Sequence, residues 1–242
     1  MNILFVHPSF PGQFVYLASD LAKNPENHVM FLAKENMIGV NLEGVELGLY
    51  TPPDEKEVKA AGEAGDLQPA AEAVLEGRQT VRSLYVLKQK KDFVPDVIVG
   101  HTGWGSLLYV KDVYPDVPVL GYFEWYYHAM HSDSFWWPDE VPTIDMSVQI
   151  RTKNAHHLLS LEACDAGYTP TEWQYKQFPA VYQPKLQVIH DGIDTDFCRP
   201  AAERPGLVLE DAGLDLPAGT EIITYVARGF EMFRGFPYFM DA

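Results

Sequence analysis

The chain has 242 residues, of which 47% are hydrophobic and 21% charged, an ordinary composition for a soluble globular protein of one large or two smaller domains. Its net charge of −16 argues against nucleic acid or an anionic membrane surface as a partner, because both attract lysine- and arginine-rich proteins. The two cysteines, Cys164 and Cys198, form neither a disulfide framework nor a zinc cluster. With no signal-peptide pattern and no apolar run near 20 residues, we predict a cytoplasmic protein without a transmembrane segment.

Short apolar runs alternate with helical patterns along the first two thirds of the chain. This alternation is typical of an α/β protein with a parallel sheet. We predict the third strand, at 45–50, nearer an edge, because its residues alternate between apolar and polar. The predicted strands are 2–7, 28–33, 45–50, 97–101, 119–123, 166–169 and 186–190. Five helices are also predicted: one that begins near Gln13, one over 67–91, a short one near 107–110, one over 143–163 and one that begins after the N-cap Thr171.

The run DVIVGHTGWG at 96–105 is the most informative stretch. Its apolar residues suit a strand buried on both faces, and His101 directly follows them. Because ligands of open α/β sheets bind at the carboxyl ends of the strands, we expect His101 to face a crevice there. A histidine that only caps the strand is the alternative. Aromatic residues at 124–128 and 134–138 then form either a lid, core packing or a sugar-stacking surface.

The composition changes again after residue 197. Three prolines and three glycines at 198–219 predict a linker, and the apolar run at 221–227 predicts the first strand of another domain. We therefore predict an amino-terminal Rossmann-like domain over 1–197, this linker, and the start of a second Rossmann-like domain over 220–242.

Several segments, in their order and spacing, resemble the family 4 glycosyltransferases, which have the two-domain GT-B architecture. The segments are 5–14, 100–105, 121–128, 188–197 and 225–235, so the resemblance covers nearly the whole chain. It implies a GT-B type fold, with a Rossmann-like parallel sheet flanked by helices and a truncated second Rossmann-like domain. It also implies a glycosyltransferase that is retaining and needs no metal or other cofactor.

In that family the first domain binds the acceptor and the second binds the nucleotide-sugar. The resemblance implies that His101 lies beside the donor sugar, and that Arg228 and Arg234 grip the donor diphosphate, where fixed cations stabilise the leaving group. Gly12 would let the backbone approach the acceptor or phosphate, and Gly192 would lie in the turn that ends the first domain near the donor. A plain connecting loop around Gly12 and two exposed surface arginines are the alternatives.

Two features leave the function open. The family's second domain carries paired glutamates that hold the nucleotide and sugar, and the chain ends before such positions, so we expect it to bind nucleoside diphosphate weakly. A non-catalytic GT-B binding module and a sugar-nucleotide epimerase with acid–base side chains are the other hypotheses. We interpret Glu124, His128 and His131 as part of a lid or acceptor surface in preference to a metal site. The acceptor would be a sugar, a lipid or a polysaccharide. We do not predict which of these it is, which sugar and nucleotide form the donor, or the oligomeric state.

Overall fold

The computed structural model describes residues 1–36, 39–132, 135, 141–202 and 205–242. Contacts divide the chain into two compact units, Met1–Gly192 and Ile193–Ala242. The predicted division into two domains and a linker stays a prediction. Within the described ranges, no helix combines the length and the apolar character that crossing a membrane requires.

The described residues of the first unit form seven strands and seven α-helices. The strands are β1 (Asn2–Val6), β2 (His28–Lys34), β3 (Val45–Tyr50), β4 (Val97–His101), β5 (Val119–Tyr122), β6 (Ala166–Thr169) and β7 (Leu186–Val188). The helices are α1 (Val15–Ala22), α2 (Glu55–Gly62), α3 (Gln68–Lys91), α4 (Val110–Val113), α5 (Ile144–Thr152), α6 (Ala155–Ala163) and α7 (Glu172–Gln177).

The seven strands form one parallel sheet in the order β3-β2-β1-β4-β5-β6-β7. Successive side chains of a strand point to opposite faces, so β1 supplies Leu4 and Val6 to one apolar cluster and Ile3 and Phe5 to another. Helices cover a sheet of this kind on both faces, which is why its strands read as continuous apolar runs. The predicted parallel α/β sheet is confirmed, and β3 lies at an edge as predicted.

Most predicted elements of this unit are confirmed, with one clear exception. The long helix predicted over 67–91 is α3, and Thr171 caps α7 by accepting a hydrogen bond from the Gln174 backbone N–H. The single helix predicted over 143–163 is wrong, because the chain breaks into α5 and α6 there. The break comes at Asn154, whose side-chain amide bonds the backbone of Tyr127 on another segment. A long-range contact of this kind leaves no periodic signal in the sequence.

The second unit differs more from expectation. Strands β8 (Leu207–Leu209) and β9 (Leu214–Leu216) form an antiparallel hairpin inside the stretch predicted as a linker. The predicted strand at 221–227 is wrong, since those residues have no regular structure, and a short helix α8 (Phe236–Asp241) follows. A strand needs a neighbour that pairs with its backbone, and the described residues of this unit offer none at 221–227.

Candidate active site

The point where the strand order reverses lies between β1 and β4. From β1 the chain builds outward to β2 and β3, and it then returns to the other side of β1 to build β4 through β7. In open α/β sheets, ligands bind outside the carboxyl ends of the strands at such a switch point. His7 follows β1 and His101 ends β4, so the two imidazoles lie side by side there, with ring centroids 5.2 Å apart.

His101 is held in one orientation and one tautomer. The Gly103 backbone N–H donates to its Nδ1 at 2.9 Å, so the neutral ring carries its proton on Nε2. That Nε2–H donates to a carboxylate oxygen of Glu124 at 3.1 Å. The arrangement fixes a directed hydrogen-bond donor at the sheet edge, with a carboxylate as its present acceptor.

The surroundings of His101 correct one expectation. We expected the ring to face an open crevice, yet its side chain is only 2% exposed. Tyr122 and Trp104 contact the ring, with centroids at 5.0 and 6.2 Å, and the half-exposed Glu124 occupies its Nε2 side. A ligand reaches Nε2 only by taking the place of the Glu124 carboxylate.

His7 is a site residue that sequence reasoning missed. Burial, followed by the neighbouring His101 imidazole, lowers the pKa of His7 to about 4, so His7 is neutral at physiological pH. The signal was available, because His7 follows an apolar strand as His101 does. Gly12 also belongs to this corner: its φ is +53°, and an added Cβ would lie 2.9 Å from the His7 ring. Any side chain at position 12 would therefore collide with the ring.

Two further buried histidines, His156 and His157 on α6, lie near the loop that follows β4. His156 donates from Nε2 to the Gly103 carbonyl at 3.1 Å, and its ring lies 4.1 Å from the ring of His157. Burial lowers the pKa of both, and for His157 the nearby His156 and His101 add to the effect. Burial therefore disfavours the charged form of both α6 imidazoles. Their burial on a helix gives no sequence pattern distinct from ordinary core packing.

Gly192 lies at the end of the first unit, next to a residue that reaches the site. Its φ is +80°, and its N–H donates to His190 Nδ1. The adjacent Asp191 accepts a hydrogen bond from the Tyr122 hydroxyl at 3.0 Å, and the Tyr122 ring contacts His101. The turn containing Gly192 is thus connected to His101 through one aromatic side chain.

The two arginines expected at the donor diphosphate belong to the second unit. Arg228 is exposed. Arg234 donates from Nε to the Glu231 carboxylate at 2.7 Å, and its carbonyl accepts from the Tyr225 hydroxyl at 3.1 Å. Their predicted role in binding the donor stays a prediction.

In the described ranges, no group of three or more His, Cys, Asp or Glu side chains is arranged to hold a metal ion. Of the two aromatic segments predicted as a lid or sugar surface, 124–128 is described, whereas residues 134 and 136–138 lie outside the described residues.

Solved structures are similar to this chain at low sequence identity. A UDP-glucosyltransferase from Polygonum tinctorium covers 84% of this chain and 55% of its own, with 11% identity and a TM-score of 0.50. The calicheamicin glycosyltransferase CalG4 covers 84% and 56%, with 14% identity and a TM-score of 0.45. The UDP-GlcNAc 2-epimerase from Neisseria meningitidis covers 78% and 45%, with 14% identity and a TM-score of 0.37. The chain spans about half the length of these solved chains.

The first of these structures identifies the fold as GT-B type, and identities this low show the fold alone. A comparison with curated protein sequences finds no match. The family model described as the glycosyl transferase family 4 group matches residues 25–198, which is well over half of the chain. The chain therefore belongs to the glycosyl transferase family 4 group.

Proposed function

We propose that this chain forms the acceptor side of a glycosyltransferase that moves a sugar from a nucleotide-sugar to an acceptor hydroxyl. Membership in the family and the position of His101 support this function. The observation that carries it is the Nε2–H of His101, fixed by Gly103 at the switch point of the sheet. In the donor complex, a hydroxyl of the donor sugar would replace Glu124 as the acceptor of that hydrogen bond.

The proposed reaction keeps the configuration of the sugar and uses no metal. The bond between the anomeric carbon and the diphosphate oxygen breaks, and the acceptor oxygen bonds to the same face of that carbon. The acceptor proton passes to the departing diphosphate. His101 orients the donor sugar by donating its Nε2–H to a sugar hydroxyl, which holds the anomeric carbon in position before its bond to the diphosphate breaks.

The remaining site residues have supporting roles in this proposal. Gly12 lets the first loop come close to the acceptor or phosphate, and Gly192 shapes the turn near the donor. Arg228 and Arg234 bind the diphosphate, for which Arg234 exchanges Glu231 for the phosphate oxygens. The acceptor is a sugar, lipid or polysaccharide, and the reaction takes place in the cytoplasm.

The test is a transfer assay on the full-length protein, with a panel of nucleotide-sugars and release of nucleoside diphosphate as the signal. His101→Asn keeps an acceptor for the Gly103 N–H but removes Nε2, and we expect kcat to fall about 100-fold. His101→Gln places an amide N–H near the Nε2 position, and we expect it to recover part of the rate. His28→Gln, at an exposed position on the amino end of β2, is the matched control. Transfer by His101→Asn within twofold of the unchanged protein would contradict the role of His101.

The epimerase hypothesis has one observation of its own, the contact between Glu124 and His101, which pairs a carboxylate with an imidazole. The same protein incubated with nucleotide-sugar and no acceptor distinguishes the two. Formation of the C2 epimer, followed by proton NMR, would replace the transferase proposal. Release of nucleoside diphosphate only when an acceptor is present would support the transferase proposal.

A further inference from the structure

A second pocket lies on the first unit, beside the loop that follows β5. Its volume is about 480 Å³, within the range of small-molecule sites. Aromatic rings, polar groups and one guanidinium line it together with the apolar residues Ala129, Ile144, Val148 and Pro179, so the pocket suits a ring-shaped ligand with both apolar and polar faces. The lining residues used below are Tyr126, Tyr127, His128, Ser147, Arg151 and Asn154.

The walls of this pocket are preformed. The Asn154 side chain accepts from the Tyr127 backbone N–H and donates to its carbonyl, both at 2.8 Å. His128 is held by a 2.6 Å hydrogen bond between its Nε2 and the Gln177 carbonyl. A ligand therefore meets a fixed loop and loses little affinity to ordering it.

The pocket carries positive charge in a protein whose net charge is −16. Arg151 projects from α5 and makes no ion pair with any residue that the structure describes. Its guanidinium is close enough to lower the pKa of the Tyr126 phenol, although burial and Tyr182 together outweigh it and raise that pKa. Lys153 lies outside the pocket lining, with its Nζ 5.3 Å from the centre of the Tyr127 ring, so Arg151 is the cation that faces a ligand.

The pocket is coupled to the His101 loop by short connections. Asn154 holds the pocket loop, and His156, two residues later, holds the Gly103 carbonyl, while the Gly103 N–H holds His101. Glu124, the present partner of His101, lies two residues before Tyr126 on the same loop. A ligand in the pocket is thus positioned by the elements that position His101.

We propose that this pocket binds an anionic group on the acceptor, which is a carbohydrate bearing a carboxylate or a phosphate. The guanidinium of Arg151 pairs with the anion, and a tyrosine ring packs against the apolar face of the sugar. This inference rests on the proposed function, because it assigns the acceptor's chemistry. It excludes a neutral sugar as the preferred ligand.

Calorimetry on the chain with three probes tests the inference: methyl β-D-glucuronide, glucose 6-phosphate and the neutral methyl β-D-glucoside. We expect at least one charged probe to bind about tenfold more tightly than the neutral one, with the preference weakening at high salt. The tighter charged probe identifies the anion as carboxylate or phosphate.

Arg151→Gln should remove that preference and leave binding of the neutral probe unchanged. Arg82→Gln, an arginine exposed on α3 and outside the pocket lining, should keep the preference. Equal binding of the three probes, no binding of any at millimolar concentration, or an unchanged preference in Arg151→Gln would each overturn the inference. Because no donor is present, failure here in a protein that still transfers sugar overturns this inference alone.

Discussion

The two units use similar apolar runs with opposite results. In the first unit, Leu4, Phe5 and Val6 are completely buried between β2 and β4. In the second unit, the run at 221–227 forms no strand, and Val226 is 91% exposed. A β-favouring sequence becomes a strand only where neighbours accept its backbone hydrogen bonds and cover its side chains.

The same contrast applies to the predicted site residues. His101 is fixed locally by the Gly103 N–H and over a longer range by the Glu124 carboxylate, 23 residues later in the chain. Among the described residues, Arg234 bonds only to neighbours in its own short segment, and Arg228 is exposed. Functional side chains of the first unit are therefore preorganised by tertiary contacts, whereas the arginines depend on local ones.

The largest expected effect comes from adding a methyl group to a glycine of the first unit, which is then compared with the same change in the second unit. In the first unit, Gly105 has φ +91°, and an added Cβ would lie 2.1 Å from the Ala73 carbonyl oxygen. We expect Gly105→Ala to lower the free energy of unfolding by about 3 kcal/mol or more, because backbone would have to shift in α3. Urea unfolding followed by tryptophan fluorescence measures it.

Gly219→Ala is the matched variant in the second unit. Gly219 also has a positive φ, +85°, but an added Cβ there meets no atom within 4 Å. Only the left-handed backbone conformation is penalised, so we expect a loss of about 1 kcal/mol. Equal losses for the two glycines would break the contrast between a tightly packed unit and an open one.

How much the sequence could predict follows from the range of the interactions involved. The strands and α3 were predictable because their apolar spacing is a local property. The split between α5 and α6 was not, since it depends on Asn154 reaching Tyr127. Asp54, whose side chain accepts from the Lys56 N–H at the start of α2, is a local cap signal for that helix.

The site divides in the same way. His101 was predictable from its place after an apolar strand, and His7 carried the same signal. The cover over His101 could not be predicted, because Glu124 comes from the loop after β5, the next strand along the sheet. Nor could the α6 histidines, whose role depends on packing against a loop more than 50 positions away in sequence.

An intermediate effect is expected from pH, and it should be confined to the first unit, since residues 193–242 contain no histidine. The pKa of His7 falls from 6.5 to about 4 on folding, so between these values the unfolded chain binds more protons. The contribution of His7 to the free energy of unfolding is therefore fully present above pH 6.5 and is lost as the pH falls through about 4. From pH 7 to pH 5 we expect the free energy of unfolding to drop by about 2 kcal/mol from His7 alone.

Burial also lowers the pKa values of His156 and His157, so both histidines add to this loss of stability. The measurement is urea unfolding at several pH values, with hydrogen exchange to separate the units. His7→Gln should give a shallower dependence on pH, whatever its effect on stability at pH 7. An equally steep dependence in His7→Gln would show that His7 is not buried as a neutral ring.

The smallest effect is expected from the ion pair between Arg234 and Glu231, which joins residues three apart on a partly exposed segment at 2.7 Å. Such pairs stabilise proteins by well under 1 kcal/mol, so Glu231→Gln should change stability by less than about 0.5 kcal/mol. The substitution also releases Arg234 toward an anion. We therefore expect inorganic diphosphate to shift the backbone amide resonance of Arg234 more strongly in Glu231→Gln than in the unchanged chain. A stability loss comparable to that of Gly105→Ala would mean that this segment is held as firmly as the sheet, and the contrast between the units would fail.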